Sequence, residues 1–365
     1  MKTFYLVTLG CPKNEVDSEF LTNDLLQLGY GIVYTPQEAH VILVNTCGFL
    51  QSAVEEARQQ IEALSNDLRS DQRLIPFGCA VKRVGQELLV ERMQGLEMYS
   101  TWEEVRQALG GNIASRGETG SRINTGRWYA YVKIAEGCDE HCAFCTIPAI
   151  KGAFVSKPAE LILAEIRSLL EQGIKEIVLI AQNTTAYGLD LRKAQGKGER
   201  GKGKAIEQKV KSLAELVALI CETHPELPRL RIMYAYPDYI KDDLIAVMRD
   251  YPQVCKYLDM PIQHADLAIL KAMHRPSNTE KHVKLLDTLR KEIPGIALRT
   301  TFIVGFPGEG EQEFQLLKEF IRKQAFDHVG VFQYSPEPGT PAAVMPRQVS
   351  TALKLQRYDE LMGLQ

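Results

Sequence analysis

Three cysteines stand close together in Gly137-Cys138-Asp139-Glu140-His141-Cys142-Ala143-Phe144-Cys145, a C-x3-C-x2-C run. Thiolates are soft ligands, and three of them on one short loop can hold a cubane iron–sulfur cluster. Three ligands for four irons leave one iron open, and an open iron can bind a substrate directly. The plainer alternatives are a zinc ion that recruits His141 as fourth ligand, or inert core thiols. Cys11, Cys47 and Cys79 each stand at the end of a short apolar run that reads as a strand: Phe4–Leu9, Val41–Val44 and Leu74–Cys79. In a parallel open sheet the carboxyl ends of the strands share one edge, where ligands bind, so the three thiols can meet there. Three unrelated cysteines at strand ends remain the bland alternative. Cys221 falls in a helical run with Leu216, Leu219 and Ile220 and reads as a buried structural thiol. Cys255 has no partner at ligand spacing.

The elements that must position these residues alternate along the whole chain. Helical spacing over Ser18–Leu28 follows the first strand, and a helical stretch over Ala53–Leu64 follows the second. Pro76 weakens the third strand. This alternation predicts an α/β fold with an open parallel sheet at the N-terminus. Ala114–Arg127, rich in Gly, Ser, Thr and Arg, reads as a linker. Beyond it strands are expected over Tyr129–Ile134, Glu176–Ala181, Leu230–Tyr234, Lys256–Met260, Ala297–Val304 and His328–Tyr334. Helices are expected over Pro158–Gln172, Ser212–Thr223, Asp242–Arg249, Ala265–Met273, Thr279–Lys291 and Gln312–Gln324. Six or so βα units suit a barrel or partial barrel. Arg192–Lys211, rich in Lys and Gly, reads as a surface insertion.

Composition is that of a soluble globular protein, 45% hydrophobic and 24% charged. A net charge of -3 advertises no global basic field for nucleic acid, although a local patch is compatible with it. The N-terminal apolar run is too short for a signal peptide, and no stretch is long and apolar enough to span a membrane. A cytoplasmic location is expected. In a reducing compartment eight cysteines point to metal ligands or buried thiols rather than disulfides.

A C-x3-C-x2-C loop after the first strand of a βα barrel resembles the signature of radical S-adenosylmethionine (SAM) enzymes. From Phe4 to about Leu364 the chain resembles the methylthiotransferase family within them. The likeness is carried by Gly10-Cys11-Pro12-Lys13-Asn14, Asn45-Thr46-Cys47-Gly48-Phe49, Gly78-Cys79 and Ile134-Ala135-Glu136-Gly137-Cys138. Leu258-Asp259-Met260-Pro261-Ile262-Gln263-His264 and Arg299-Thr300-Thr301-Phe302-Ile303-Val304-Gly305-Phe306-Pro307-Gly308-Glu309, with Cys11-Pro12-Lys13-Asn14, are similar to one branch. That branch, the RimO type, methylthiolates the β-carbon of an aspartate in small-subunit ribosomal protein S-twelve. The alternative branch modifies adenosine in transfer RNA. A reading of another class is a non-catalytic metal-binding protein. The chain departs from the branch pattern at Asn183, where an aspartate is usual, and at Lys151 and Lys157, where arginines are common.

The resemblance implies two [4Fe-4S] clusters, one held by Cys138, Cys142 and Cys145 and an auxiliary one held by Cys11, Cys47 and Cys79. It implies SAM as methyl donor and as source of a 5′-deoxyadenosyl radical, with an electron donor of flavodoxin or ferredoxin type. Gln182, Asn183 and Gln263 are polar residues at strand ends and are candidates to touch the ribose or amino-acid part of SAM. Ile303, Gly305 and Tyr334 are candidates to face the adenine. Ordinary barrel packing is the alternative for each. His264 is a candidate catalytic group or, more plainly, a satisfied histidine at a strand end. Glu309 is expected near a helix N-terminus. The expected domains are 1–125 (auxiliary cluster), 126–345 (a partial (βα)6 barrel) and 346–365 (a linker helix). The family's C-terminal TRAM β-barrel is expected to be missing.

Overall fold

The computed structural model describes residues 1–89, 93, 95–111, 122–123, 127–191, 210–275 and 277–365. The run 114–127 lies largely outside the described residues, and so does the run 192–211. The described chain divides into two compact units. The first comprises Met1–Lys133, Ala149–Gly152 and Glu160–Ile174, and the second Ile134–Pro148, Ala153–Ala159 and Lys175–Gln365.

In the first unit β1 (Thr3–Thr8), β2 (Gly31–Ile32), β3 (Val41–Thr46) and β4 (Arg73–Gly78) form a parallel sheet in the order β2-β1-β3-β4. All six residues of the inner strand β3 are buried. Its side chains alternate between two cores, as a period of two requires. Ile42 and Val44 pack with Val54, Ala57 and Ile61 of α2 (Gln51–Asn66). Val41 and Leu43 pack with Leu21 and Leu25 of α1 (Pro12–Gln27) and Val105 of α4 (Trp102–Ala108). Helices therefore cover both faces, which is why the sheet can be parallel. Pro76 sits in β4, paired with Val44, and β4 ends the sheet order, where a missing N–H is tolerated. A short helix α3 (Cys79–Val84) follows it directly. No helix among the described residues is long and apolar enough to cross a membrane.

Within this unit Arg122 ties distant segments together. It is 1% exposed, and it ion-pairs with Glu165 at 2.8 Å and with Glu19 of α1. It also donates to the carbonyl of Tyr131 in β5 (Tyr129–Lys133). Glu165 belongs to the helix Ala159–Glu171 and is itself fully buried.

In the second unit Glu176–Ile180, Arg229–Ile232, Val254–Asp259, Ala297–Val304 and His328–Gln333 are successive parallel neighbours, each pairing with the next in chain order. Helices Leu213–Thr223, Asp242–Asp250, Leu267–Ala272, Thr279–Glu292 and Glu311–Gln324 fall between them. This is a parallel-sheet βα core, and it puts the loops that follow each strand on one edge. A two-stranded antiparallel pair, Ala135–Glu136 with Val155–Ser156, brackets the cysteine loop 137–145. The last helix, Thr351–Met362, carries Lys354 and Arg357 on a buried face.

Removing one partner of a buried ion pair strands the other charge. Glu165→Ala is therefore expected to destabilise the protein by about 3 kcal/mol, the low end for such losses because Glu19 remains. Denaturant unfolding checks this, and a loss below about 1 kcal/mol, the worth of an exposed pair, would contradict the assignment.

Candidate functional site

The first unit gathers Cys11, Cys47 and Cys79 at the carboxyl edge of its sheet. Cys11 is the residue ahead of α1, Cys47 follows β3, and Cys79 opens α3. All three are partly exposed free thiols. A glycine adjoins each of them, and close approach explains all three glycines. At Gly10 (φ +93°) a Cβ would stand 2.6 Å from Cys47 Cβ and 2.9 Å from its sulfur. At Gly48 it would meet the carbonyl of Cys79 at 2.6 Å, and at Gly78 (φ +98°) Asn45 Oδ1 at 2.7 Å. The backbone therefore closes around the thiols only where side chains are missing.

Asn14, 2% exposed, pins the three loops together. Its Nδ2 donates to the carbonyls of Leu9 at 2.8 Å and Thr46 at 3.1 Å, and its Oδ1 lies 3.9 Å from the sulfur of Cys79. Asn45 Nδ2 donates to the Asn14 carbonyl at 2.9 Å. Thr46 Oγ1 donates to the Phe77 carbonyl at 2.7 Å and accepts the N–H of Ala80 at 3.2 Å. Asn14, Asn45 and Thr46 lie inside the cysteine motifs, and no local pattern marks them for this role. Their signal was position, immediately beside cysteines at strand ends.

Burial pushes the Cys47 and Cys79 thiols up, Cys79 to about 11. Lys151 opposes the shift at Cys79, while Cys11 and Cys47 add to it, so the three sulfurs feel one another.

In the second unit Cys138, Cys142 and Cys145 share one loop and also act on one another. Burial raises all three, Cys138 to about 11 and Cys145 to about 12. Backbone N–H groups of Glu140 and Ile147 pull the other way at Cys138 and Cys145, and Arg275 does so at Cys142. Asp139 Oδ1 accepts the Phe154 N–H at 2.9 Å and fastens the loop to the antiparallel pair. Glu140 accepts from the Tyr239 hydroxyl at 2.6 Å.

Gln182, Asn183, Gln263, Gly305 and Tyr334 follow strand ends and Ile303 lies near the end of its strand, in differing settings. After the strand Glu176–Ile180, Gln182 Nε2 donates to Glu136 at 3.2 Å. Gln182 Oε1 and Asn183 Nδ2 are buried without a hydrogen-bond partner. Buried amide atoms left unpaired are costly, and a polar ligand would satisfy them. Gln263 holds φ +79° and bonds the strand Ala297–Val304 through its N–H and carbonyl. A left-handed glutamine is strained, and such strain collects at functional sites. Ile303 and Tyr334 pack with Phe306, Met273, Ala342 and Ala143 of the cysteine loop in one apolar cluster. Gly305 (φ +72°) lies against Lys354, whose Cγ would stand 2.3 Å from an added Cβ.

His264 is wholly buried and satisfied on both sides. Its Nδ1 accepts the Asp266 N–H at 3.0 Å, so Nε2 carries the proton and donates to Glu309 at 3.1 Å. Glu309 stands ahead of the helix Glu311–Gln324, and its carboxylate is taken up by His264, by the Gly305 N–H at 2.9 Å and by Arg357 at 2.7 Å. Cys221 is buried as expected, and Cys255 is half-buried with Arg231 as its main counter-charge.

Among the described residues no group of three or more His, Cys, Asp or Glu side chains encloses a single metal ion. Such a cage needs every sulfur about 2.3 Å from one point. Three soft thiolates in each group are a donor set that an iron–sulfur cluster takes.

Comparison with known proteins fixes the class first. Residues 132–321 match the family model of the radical SAM superfamily, and residues 3–97 match an uncharacterized protein family, UPF0004. A ribosomal protein uS12 methylthiotransferase RimO from Carboxydothermus hydrogenoformans is 40% identical over 99% of this chain and 82% of its own length. Its counterpart from Lachnoclostridium phytofermentans is 41% identical over 100% of this chain and 83% of its own. The chain belongs to this RimO-type radical SAM methylthiotransferase family. It is an enzyme family dependent on SAM and iron–sulfur chemistry, which removes the non-catalytic reading. Among solved structures, the radical SAM methyltransferase TsrM from Kitasatospora setae, with cobalamin and a [4Fe-4S] cluster bound, gives a TM-score of 0.65 at 14% identity. It covers 94% of this chain and 77% of that one. The cobalamin-dependent SAM radical enzyme OxsB gives 0.60 over 99% of this chain and 55% of that one, at 12% identity. These two likenesses are of fold alone.

A thiol with a raised pKa carries less thiolate at any pH below it, and thiolate is the nucleophile. In metal-free protein the alkylation rates at Cys79 and Cys138 are therefore expected to keep climbing beyond about pH 10, against about 8.5 for a free thiol. Peptide mapping of the alkylated protein measures this, and rates that level off near the free-thiol range would contradict the burial described here.

Proposed function

We propose that this chain methylthiolates the β-carbon of an aspartate in ribosomal protein uS12, with SAM as both methyl donor and radical source. The observation that carries the reading is near full-length likeness, at 39–41% identity, to curated uS12 methylthiotransferases from several bacteria. In this reading Cys138, Cys142 and Cys145 hold one [4Fe-4S] cluster, and Cys11, Cys47 and Cys79 hold a second. When bound, the clusters and SAM supply the reducing electron, the hydrogen-abstracting radical and the methylthio unit.

The chain's own residues bind, orient and keep water out. Asn14 and the glycines at 10, 48 and 78 hold three strand ends close enough for their thiols to share one cluster. The unpaired amide atoms of Gln182 and Asn183 offer an acceptor and a donor to the polar part of SAM. Gln263, held left-handed, projects from the next-but-one strand end as a further polar contact. Ile303, Gly305 and Tyr334 border the adenine, and the apolar cluster around Phe306 and Ala143 keeps the cysteine loop dry. The network of Glu309, His264 and Arg357 fixes the loops between these contacts rather than moving a proton. A flavodoxin- or ferredoxin-type protein is the electron donor in this reading. In this reading residues 1–125 serve as auxiliary-cluster domain, 126–345 as radical SAM partial barrel and 346–365 as a linker helix.

The test is turnover of the anaerobically reconstituted chain with SAM, a low-potential reductant and either uS12 or transfer RNA. Mass spectrometry is expected to find one hydrogen replaced by a methylthio group on an aspartate-bearing uS12 peptide. Modification of adenosine in transfer RNA with unmodified uS12 would move the chain to the other branch.

A further inference from the structure

The parallel sheet of the second unit covers one of its faces and leaves the other partly open. Leu230, Ile232, Leu258, Leu298 and Phe302 are buried. The residues that alternate with them, Arg229, Arg231, Tyr257 and Arg299, are partly or wholly exposed. A parallel sheet ordinarily has both faces covered, so an open face that carries three arginines is suited to a ligand.

The three arginines differ in what holds them. Arg229 and Arg231 share the buried carboxylate of Glu176, at 2.8 and 2.5 Å, and Arg231 also lies 4.6 Å over the ring of Tyr257. Among the described residues Arg299 ion-pairs with Asp259, but Nη1 and Oδ1 stand 3.7 Å apart, beyond hydrogen-bonding reach. It also meets the neutral hydroxyl of Tyr257. The Asp259 side chain is 2% exposed and that of Arg299 38%, so the guanidinium faces outward from a buried carboxylate. With five N–H donors it has several to offer a second anion. The position suits a substrate. Arg299 and Asp259 are register partners, and Asp259 ends its strand. Arg299, Thr301 and Ile303 follow one another along one face, which puts Arg299 about 13 Å of strand below the candidate adenine contact at Ile303. Both Asp259 and Arg299 lie in the two runs that resemble the aspartate-modifying branch, Leu258–His264 and Arg299–Glu309. A carboxylate substrate calls for a cation where adenosine does not.

From this geometry we infer that Arg299 binds the side-chain carboxylate of the substrate aspartate, with Asp259 holding the guanidinium from behind. The inference rests on the function proposed above. A guanidinium meets a carboxylate through two parallel N–H···O bonds, which fix orientation as well as charge. In aspartate the carboxylate is one bond from the β-carbon, so clamping it also orients the C–H that is replaced. An asparagine in the same place turns an amide donor toward the guanidinium donors and is rejected, since a site built for one hydrogen-bonding group discriminates strongly against its mismatch. Arg299 is thus a specificity-determining residue that touches substrate.

The test compares equilibrium binding of uS12, and of uS12 whose modified aspartate is replaced by asparagine, to the reconstituted full chain and to its Arg299→Gln and Arg299→Met variants. The parent is expected to bind the aspartate form about tenfold more tightly or better, the worth of a hydrogen bond to a charged group. Both variants are expected to bind the two forms alike. Turnover gives a second readout: each variant is expected to lose about tenfold or more in kcat/KM on uS12. Formation of 5′-deoxyadenosine from SAM without uS12 is expected to stay within about twofold of the parent, because it needs no substrate carboxylate, whereas a merely structural loss lowers both. A parent with no preference, variants that keep the preference, or variants that form no clusters or lose SAM cleavage together with uS12 turnover overturn the role of Arg299. A parent that neither binds nor modifies uS12 overturns the proposed function itself, and this inference with it.

Discussion

Thiols and water compete at the strand ends of this protein, and the balance between them governs the rest of the structure. Cys47, Cys79, Cys138, Cys142 and Cys145 are buried enough to disfavour the thiolate, yet each group of three keeps its sulfurs within reach of one another. A thiol so placed gives up its proton readily only to a cation that takes its place, so metal binding and deprotonation are a single event. The protein's task is to hold two such groups in partly dry loops without letting them collapse into ordinary core. Glycines against sulfur and buried asparagines are the means.

The two sites solve this problem with different materials. In the first unit the cysteines come from three separate strands, so their convergence depends on long-range hydrogen bonds from Asn14, Asn45 and Thr46 and on glycines that permit close approach. In the second unit local spacing already gathers the sulfurs, and what must be supplied is a rigid backing. Asp139 anchors one side of the loop, and the turn Met273–Arg275 braces the other. The last helix plays a similar part for the strand ends: Lys354 packs on Gly305 and donates to the Tyr334 carbonyl at 2.8 Å, while Arg357 holds Glu309. A segment that reads as a linker in sequence is thus built into the wall of the sheet.

Apolar periodicity made the strands and most helices legible, down to a residue or two at their ends, because each buries a regular face. It failed where polar side chains are the buried ones. The helix expected from Ser18 begins at Pro12, since its first turns bury Asn14, Asp17 and Ser18 rather than leucines. The cysteine spacing on the 138–145 loop was legible because one cluster needs a fixed set of sulfurs on one short segment. Asn14 and Arg299 were not, because their partners lie far away in sequence and no local pattern encodes such a contact. Glu309 was placed by its helix, whereas its carboxylate is engaged by His264 and by Arg357.

The central claim is that the six cysteines form two independent cluster sites. The most direct measurement is iron and acid-labile sulfide in anaerobically reconstituted protein, beside a Cys138→Ala variant. The account predicts about eight irons per chain falling to about four, four irons being the content of each cubane. About four irons, unchanged by the substitution, would leave only the site of Cys11, Cys47 and Cys79 occupied and would contradict the account.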